Sequence, residues 1–385
     1  MSTNKKTVEL DALEWRAQCS SMNITNHISE PPKQLDIEIV NVTQYDPEWA
    51  FTHHTAGVAF FKGKLYAGYS RGYWGEDFPG QQMAISSSEN FYKWSEPQVI
   101  VPATQGEFGE TCIIPNRIGV IDGKLFATYC LCEFGADNFK ENGEFDPTLG
   151  GSRKDSLWRI YTEDGEHWSE PERISSIGSA VGLWRLQSGR WMGIYGCCAS
   201  RSDEEQPNGF KWDYTFVDGE KNKNSIARCK AEGGNLTETT WYQSQDGVLH
   251  IIRRSDAGYV WNSESYDDGE NWTEFYPTRF TADNSQFNFH HLPDGRPIAI
   301  GSPDCADGYV WDLFPLYLYT TKDGYHFNKA YLLRDEHYRL HEQGYSKGGE
   351  YGYMAMYNHD GYLYIFHSRK KEIMELCRVK IDDIE

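Results

Sequence analysis

A repeated glycine turn constrains the fold of this 385-residue chain more than any other feature. A glycine turn separates two apolar or alternating runs at six places, centred on Gly63, Gly123, Gly189, Gly247, Gly295 and Gly361. Turns of the Asp-Gly kind between alternating runs are a strong signal for a β-hairpin. Successive glycines lie 60, 66, 58, 48 and 66 residues apart, which fits one four-stranded antiparallel sheet and a variable loop. The repeat therefore predicts an all-β, six-bladed β-propeller.

A second repeat follows the hairpins. Residues 265–272 have the form S-x-D-x-G-x-x-W, and worn copies occur at residues 87–94, 161–168 and 320–327. In such a segment the acid can accept backbone N–H groups in a tight turn. The glycine can take a positive φ, and the aromatic residue can fold back as an apolar plug. Where a copy exists, it follows its hairpin by about one strand, so the two repeats support each other.

Composition agrees with an all-β core. Aromatic residues make up 15% of the chain, with 13 Trp and 25 Tyr, and Leu-rich helical periodicity is absent. We predict an N-terminal arm over residues 1–36 and a single propeller domain over residues 37–385. Residues 36–42 alternate as a strand, which we expect to complete the last blade and close the ring between the two termini. Seven blades is the alternative if the first 50 residues contain another one.

The net charge restricts the possible partners, and the cysteine content indicates the cellular compartment. The formal net charge of −20 argues against nucleic acid and against an anionic membrane surface as a partner. The sequence starts without a signal-peptide pattern and contains no apolar run of membrane-spanning length. Nine cysteines, with Cys197 next to Cys198, suggest thiols in a reducing compartment, so we predict a cytoplasmic protein. We also predict no cofactor and no metal ion, because no metal-ligand motif is present.

Side chains at equivalent places on different blades converge at the central channel of a propeller. The first strands of the blades begin near His53, His54, Glu110, Glu238, His290 and Tyr351. The second strands end near Arg71, Arg201, Arg254 and Arg369. Three of these arginines follow their hairpin glycine by seven or eight residues, which predicts a clamp for a carboxylate. The alternative is that the arginines pair with acidic residues at the strand ends.

The His53-His54 pair is the best candidate for proton transfer, since imidazole titrates near neutral pH. Adjacent residues of a strand face opposite ways, so only one ring can point into the channel, and we favour His54. A structural role for the histidines is the alternative. Trp74, in the loop over residues 71–81, is predicted to be a stacking platform for a sugar or else a core residue.

The repeats resemble the Asp-box propellers of the sialidase-like superfamily from about residue 50 to the C-terminus. Within that superfamily, three features look like the rhamnose–glucuronate lyases and the ulvan lyases. These features are the His-His start, the loop at residues 76–81 and the strand at residues 238–242. The resemblance implies a histidine acting at the sugar, helped by a tyrosine, for which Tyr129 is the candidate, and by an arginine that neutralises the uronate. Two features depart from the relatives: the F/Y-R-I-P segment of sialidases is absent, and the second histidine of some lyases falls near Tyr73 and Trp74.

The leading hypothesis is a lyase that cleaves a glycosidic bond next to a uronic acid of an acidic oligosaccharide by β-elimination. His54 or His53 and Tyr129 would transfer protons, and Arg71 and Arg254 would neutralise the carboxylate. The expected substrate-binding residues are Glu110, Gln81, Trp74, Arg201, Glu238, His290, Tyr351 and Arg369. One alternative is a sialidase-like hydrolase in which Tyr351 or Tyr353 acts with an acidic partner, Glu238 or Glu110. The other is a non-catalytic glycan-binding propeller.

Overall fold

A computed structural model describes residues 3–175, 181–195, 198–202, 205–206, 209–210, 213–216, 219–283, 287–303 and 313–385. These residues contain the helices α1 (Thr3–Asn23) and α2 (Gly219–Ala231). The strands are β1 (Lys33–Gln34), β2 (Glu38–Asn41), β3 (Thr55–Phe61), β4 (Lys64–Arg71), β5 (Gln82–Ser88), β6 (Gln98–Val101), β7 (Glu110–Ile121), β8 (Lys124–Phe134), β9 (Arg153–Thr162), β10 (Glu172–Ser175), β11 (Val181–Arg185), β12 (Trp191–Tyr195), β13 (Cys198–Ser202), β14 (Glu205–Gln206), β15 (Gly209–Phe210), β16 (Asp213–Phe216), β17 (Leu236–Gln243), β18 (Leu249–Ser255), β19 (Tyr259–Ser265), β20 (Tyr276–Thr281), β21 (Asn288–His291), β22 (Pro297–Gly301), β23 (Leu316–Thr320), β24 (Lys329–Arg334), β25 (Tyr351–His359), β26 (Tyr362–Arg369) and β27 (Ile373–Lys380).

The chain divides into two compact units. The first unit consists of Met1–Asp36, Leu183–Glu336 and Ile381–Glu385, and the second unit consists of Ile37–Gly182 and His337–Lys380. Within the described residues, no helix combines the length and apolarity that crossing a bilayer requires.

The second unit contains three four-stranded antiparallel sheets. Two of them follow chain order, β3 to β6 and β7 to β10, and the third has the order β2-β27-β26-β25. In the third sheet, β2 pairs antiparallel with β27, with Val40 opposite Leu376. The strand expected within residues 36–42 thus exists and joins the last hairpin of the chain. Apolar side chains of neighbouring sheets, such as Met83 and Ile113, form the core between them.

The first unit contains two four-stranded sheets, β17 to β20 and β11-β12-β13-β16, and a larger sheet of five strands. In the larger sheet, β1 runs parallel to β24 and lies outside the antiparallel strands β21 to β24. Buried aromatic side chains dominate the core of this unit, including Phe280, Phe289 and Phe327. Such side chains suit the faces of packed sheets because they bury a large apolar area.

The number of four-stranded blades differs from the prediction. In the described part of the chain, five sheets are four-stranded antiparallel blades, so the prediction of six such blades, with seven as the alternative, is wrong. The hairpin at Gly295 belongs instead to the five-stranded sheet, because Lys33–Gln34 of the N-terminal segment adds β1 beside β24. A parallel partner from a distant part of the chain leaves no mark on local periodicity.

All six predicted hairpins are confirmed, and each turn glycine has a positive φ between 71° and 88°. In three of the turns the preceding residue, Lys62, Asp122 or Asp360, also has a positive φ. Two successive positive φ values are what a two-residue type I′ hairpin turn requires. A Cβ atom added at Gly63 would meet nothing within 4 Å, so the backbone conformation, and not space, favours glycine there.

The second repeat has the predicted local structure. In residues 265–272, Asp267 accepts a hydrogen bond from the backbone N–H of Asn271 at 2.9 Å, and Trp272 is buried. The copies at 161–168 and 320–327 use Asp164 and Asp323 in the same way. In the copy at 87–94, Asn90 replaces the acid and accepts from two backbone N–H groups.

The N-terminal arm contains a long helix that we did not predict. The apolar periodicity of α1 is weak, and polar contacts hold the helix against the first unit. Glu14 forms an ion pair with Lys221 at 2.7 Å and accepts a hydrogen bond from the hydroxyl of Tyr276 at 3.1 Å. Contacts of this kind depend on the tertiary fold, and a sequence pattern does not report them.

Six of the nine cysteines have side chains that the structure describes, and no two of these are joined in a disulfide. The pair Cys197-Cys198 lies outside the side chains that the structure describes.

Candidate functional site

Two histidines and two carboxylates face each other in the second unit. The segment before β3 pairs with the end of β4, because Phe51 and Gly72 exchange backbone hydrogen bonds. This pairing fixes His53 and His54 beside the loop that follows β4. The hydroxyl of Ser70 accepts the backbone N–H of His54 at 2.9 Å and so holds the turn in place.

Each imidazole has its own acid. His53 Nε2 lies 2.7 Å from Glu76 Oε1, and His54 Nε2 lies 2.8 Å from Asp77 Oδ1. The centroids of the two imidazole rings are 4.7 Å apart. The site therefore contains two imidazole–carboxylate pairs side by side.

The side chain of Gln81 holds the backbone of Asp77 in place. Asp77 has a φ of 58°, and its backbone N–H donates to the side-chain oxygen of Gln81 at 3.3 Å. The buried amide of Gln81 donates in turn to the backbone carbonyl of Ile113 at 2.9 Å. The residue that we predicted to bind substrate thus holds the loop that carries Asp77.

The two histidines differ in burial and in pKa. The side chain of His53 is fully buried. Burial, together with the positive charge of Lys371, lowers its pKa to about 3 even though Glu76 opposes the shift. The side chain of His54 keeps 16% of its surface exposed. Burial disfavours the charged form of His54, but the carboxylates of Asp77 and Glu76 outweigh burial and raise its pKa. His53 is therefore neutral near pH 7, whereas His54 is the group that titrates.

Lys371 completes the charge balance of the site. Its Nζ atom lies 2.9 Å from Glu76 Oε2, so the carboxylate of Glu76 bridges Lys371 and His53. Burial opposes ionisation of both carboxyl groups. His53 and Lys371 nevertheless lower the pKa of Glu76, and His54 lowers the pKa of Asp77. Both acids are ionised at neutral pH.

Aromatic side chains flank the histidines. The ring of Tyr353 lies edge-on to His53, with centroids 4.7 Å apart, and 5.7 Å from His54. Trp74 and Tyr345 are 52% and 41% exposed, with ring centroids 6.3 Å apart. Exposed aromatic faces close to a polar centre are typical of surfaces that stack on the C–H faces of a sugar.

The arrangement suits proton transfer at His54. Asp77 engages Nε2, and no described residue forms a hydrogen bond with Nδ1. An imidazole that is oriented by a carboxylate can take or give a proton at its other nitrogen. Ligand atoms of His53, His54 and Glu76 also lie within 4.8 Å of one another, a spacing that could hold a metal ion. The ammonium group of Lys371 lies on the other oxygen, Oε2, of the same carboxylate.

The predicted clamp arginines all have acidic partners within their own unit. In the second unit, Arg71 pairs with Asp46 at 2.9 Å, and its guanidinium lies over the ring of Trp49. In the first unit, Arg254 pairs with Glu238 at 2.6 Å. These contacts are those of the alternative in which arginines pair with acids at strand ends. The convergence of the arginines on one carboxylate stays a prediction.

Two further candidates of the second unit are buried side by side. Arg369 is 4% exposed and pairs with Glu350 at 2.9 Å and with Glu375 at 3.3 Å. Its guanidinium lies 4.6 Å from the ring centroid of Tyr351, which is fully buried. Burial of this degree separates Tyr351 from any sugar in the structure as it stands.

The remaining candidates have different surroundings within their own units. Tyr129 is 3% exposed in the apolar core of the second unit, and burial raises the pKa of its hydroxyl. Glu110 is exposed at the start of β7, and His290 lies in β21 opposite Ile298. Arg201 lies in β13 opposite Met192, and its side chain is outside the part of the structure that is described.

Sequence reasoning missed Lys371 as a member of the site. It lies in the turn between β26 and β27, where both Lys370 and Lys371 have positive φ values, 47° and 57°. The one available signal was the run Arg369-Lys370-Lys371 at the end of the last hairpin strand.

A protein-family model described as a BNR repeat-like domain matches residues 63–365. The chain belongs to this family. Solved structures agree with the assignment and support a sialidase-like β-propeller of four-stranded antiparallel blades. A search of curated proteins finds no match.

Three solved structures illustrate how far the likeness of this BNR protein extends. A sialidase matches with a TM-score of 0.62 and 16% identity over 94% of this chain, which spans only 34% of that protein. A protein of unknown function from Dyadobacter fermentans DSM 18053 matches with a TM-score of 0.63 and 15% identity, covering 91% of this chain and all of the other. The intramolecular trans-sialidase of Ruminococcus gnavus, in complex with oseltamivir carboxylate, matches with a TM-score of 0.57 and 13% identity, covering 89% and 97% of the two chains. At such identities the likeness shows the fold alone.

Proposed function

We propose that this BNR protein is a carbohydrate-active enzyme that acts on an acidic oligosaccharide, with His54 as its proton-transfer group. The observation that carries the proposal is the His54–Asp77 pair. One ring nitrogen is held by a carboxylate at 2.8 Å, the other has no partner among the described residues, and the exposed ring of Trp74 lies on the loop that carries Asp77.

The reaction that fits best is β-elimination next to a uronic acid. Elimination requires a base for the proton α to the carboxylate, an acid for the leaving oxygen, and positive charge near the carboxylate. Nδ1 of His54 takes the α-proton, and Asp77 stabilises the imidazolium that results. Tyr353, next to both rings, replaces the buried Tyr129 as the tyrosine that protonates the leaving oxygen. Lys371 adds positive charge to the same centre.

Hydrolysis of a glycosidic bond is the second candidate, and the sialidases among the solved relatives favour it as much as elimination. In a hydrolase the protonated His54 would donate its proton to the leaving oxygen. Tyr353 is better placed than Tyr351 to act as the nucleophile, because Tyr351 is fully buried and Tyr353 only partly buried.

The deciding experiment is a screen of short oligosaccharides that contain uronic acids, sialic acids or rhamnose. Each reaction is followed by ultraviolet absorbance, which reports the unsaturated uronate of an elimination, and by release of reducing ends, which both reactions produce. We expect both signals to rise together with a uronate substrate. Reducing ends without absorbance would establish the hydrolase instead, and no turnover of any substrate would overturn the proposal in favour of a binding protein.

A matched pair of variants tests the assignment of His54. His54→Ala removes the proposed group, whereas His167→Ala removes an exposed histidine whose Nδ1 also lies 2.7 Å from an aspartate, Asp164. We expect His54→Ala to lose turnover and His167→Ala to keep it. Equal activity of the two variants would show that His54 is not the proton-transfer group.

A further inference from the structure

A second group of ligand-type side chains lies in the last sheet of the second unit. His367 on β26 stands directly opposite Glu375 on β27 in the antiparallel register. Cys377 lies two residues further along β27, so its side chain is on the same face as that of Glu375. The three residues are 0%, 4% and 3% exposed. We call them the His-Glu-Cys cluster.

The spacing of the cluster matches a tetrahedral metal site. His367 Nε2 is 3.2 Å from Glu375 Oε1, Cys377 Sγ is 3.6 Å from His367 Nε2, and Cys377 Sγ is 3.9 Å from Glu375 Oε1. Zinc binds nitrogen and oxygen at about 2.0–2.2 Å and sulfur at about 2.3 Å, so neighbouring ligand atoms are roughly 3.3–3.6 Å apart. The three atoms therefore form one face of a tetrahedron that needs only small shifts to hold an ion.

Neighbouring groups orient two of the three ligands. His367 Nδ1 donates to the backbone carbonyl of Ser368 at 3.2 Å, and in the neutral ring this leaves the lone pair on Nε2, which faces the cluster. The other oxygen of Glu375, Oε2, accepts from Arg369 at 3.3 Å, so Oε1 points to His367 and Cys377. Outer partners that orient histidine and carboxylate ligands in this way are a regular feature of protein metal sites.

We propose that the His-Glu-Cys cluster binds a zinc ion through His367 Nε2, Glu375 Oε1 and the Cys377 thiolate. Nitrogen and sulfur ligands favour zinc over calcium and magnesium, which prefer oxygen alone. On binding, the Cys377 thiol loses its proton to solvent, the sulfur–zinc bond forms, and a small non-protein ligand fills the fourth position. No electron transfer is involved.

Zinc in the His-Glu-Cys cluster would stabilise the strands around His53 and His54 and would take no part in the reaction itself. Ser368, the neighbour of His367 on β26, faces the opposite way, and its hydroxyl lies 3.4 Å from His53 Nδ1. Zinc would therefore fix β26 to β27 directly behind the candidate site. This inference does not depend on the proposed function, since metal content is measured without a substrate.

The full-length chain tests the inference after metal removal with a chelator. The protein is titrated with Zn²⁺ against a coloured competing chelator, and bound metal is measured after dialysis. We expect about one zinc per chain for the natural protein and an affinity at least about tenfold lower for Cys377→Ser. The matched control is Cys132→Ser, which removes another buried thiol of the same unit from a group with Cys130 and Asp155.

Cobalt provides a second measurement that does not depend on a variant that folds. A thiolate bound to Co²⁺ gives a charge-transfer band in the near ultraviolet, so we expect the band in the natural protein and in Cys132→Ser. Three outcomes would overturn the proposal: dialysed natural protein with only trace zinc and no cobalt–thiolate band, unchanged affinity in Cys377→Ser, or loss of zinc in Cys132→Ser.

Discussion

The chain contains two His-His dipeptides at the first strand of a hairpin, one in each unit, and they have different surroundings. His53-His54 precedes β3 of the second unit and faces Glu76 and Asp77. His290-His291 ends β21 of the first unit. There, Nε2 of His291 lies 2.8 Å from the backbone carbonyl of Gln243, in place of a carboxylate. The same dipeptide thus provides a charged centre in one unit and a link to the backbone in the other.

The pKa values follow from these partners. Burial lowers the pKa of His291, and the hydrogen bond to the Gln243 carbonyl offsets only part of the shift. His54 is also penalised by burial, but the negative charges of Asp77 and Glu76 raise its pKa. A histidine becomes a candidate for proton transfer through the acid that faces it, and the dipeptide alone does not reveal that acid.

The strongest test of this difference between the two dipeptides is to remove one histidine from each pair. We expect His54→Ala to lower kcat by about 10²–10⁴-fold while KM changes little, because general acid–base catalysis contributes that much to a rate. His291→Ala should keep kcat within about twofold of the natural protein. Steady-state kinetics on the substrate found by the screen measures both. A larger loss in His291→Ala than in His54→Ala would reverse the roles that we assign.

The local features of the fold were predictable from the sequence. Turn glycines and the acid-aromatic segments depend on residues that are close in the chain, so Gly63 and Trp272 occupy the places that the pattern predicts. The blade count failed because Lys33–Gln34 joins β24 through a parallel pairing between distant segments. Helix α1 was missed because its contacts, such as Glu14 with Lys221, are polar and tertiary.

The site was predictable in part for the same reason. His53, His54 and the loop from Glu76 to Gln81 stood out as a local motif. Lys371 did not, because it reaches Glu76 from 295 positions further along the chain. The acidic partners of the arginines, such as Asp46 for Arg71, also depend on the folded arrangement.

The substitution Asp77→Asn gives His54 an uncharged partner, as His291 has. We expect kcat/KM near pH 7 to fall by about 10–100-fold, as for other residues that orient a catalytic imidazole or ligand. Asp77 favours the imidazolium, so its loss lowers the pKa of His54. The acidic limb of the pH–rate profile should therefore move to lower pH, because the neutral base persists further into acid. A rate loss without this shift would indicate a purely structural role for Asp77.

The lowered pKa of His53 makes the free energy of unfolding depend on pH. Its pKa is about 3 in the folded protein and about 6.5 in the unfolded chain, so only the unfolded chain takes up the proton between these values. Protonation of His53 therefore does not favour the unfolded chain above pH 6.5. The free energy of unfolding decreases as the pH falls from 6.5 towards 3. Between pH 7 and pH 5 this histidine should cost the folded state about 2 kcal/mol. His54 has the opposite sign, since a raised pKa stabilises at low pH and loses its effect as the pH rises.

Urea unfolding at pH 7 and pH 5 measures the effect of His53, with His53→Gln as the comparison because its amide can still reach Glu76. The free energy of unfolding of the natural protein should fall by about 2 kcal/mol more than that of His53→Gln. Contributions of other buried histidines, such as His250, whose pKa is lowered to about 4, are shared by both proteins and cancel. Parallel declines in the two proteins would show that His53 titrates normally in the fold.

The smallest expected effect concerns Trp74, which is exposed, whereas Trp241, the tryptophan beside His291, is buried. Trp74 is 52% exposed beside the His54–Asp77 loop, so we expect its ring to stack on a sugar of the substrate. Contacts of an aromatic ring of this kind contribute about 0.5–1.5 kcal/mol, so Trp74→Ala should raise KM about two- to tenfold and leave kcat nearly unchanged. Trp15 of helix α1, which is 68% exposed, provides the matched control, and Trp15→Ala should leave both constants unchanged. Equal KM values for Trp74→Ala and the natural protein would remove Trp74 from the binding surface and leave the polar centre alone to hold the sugar.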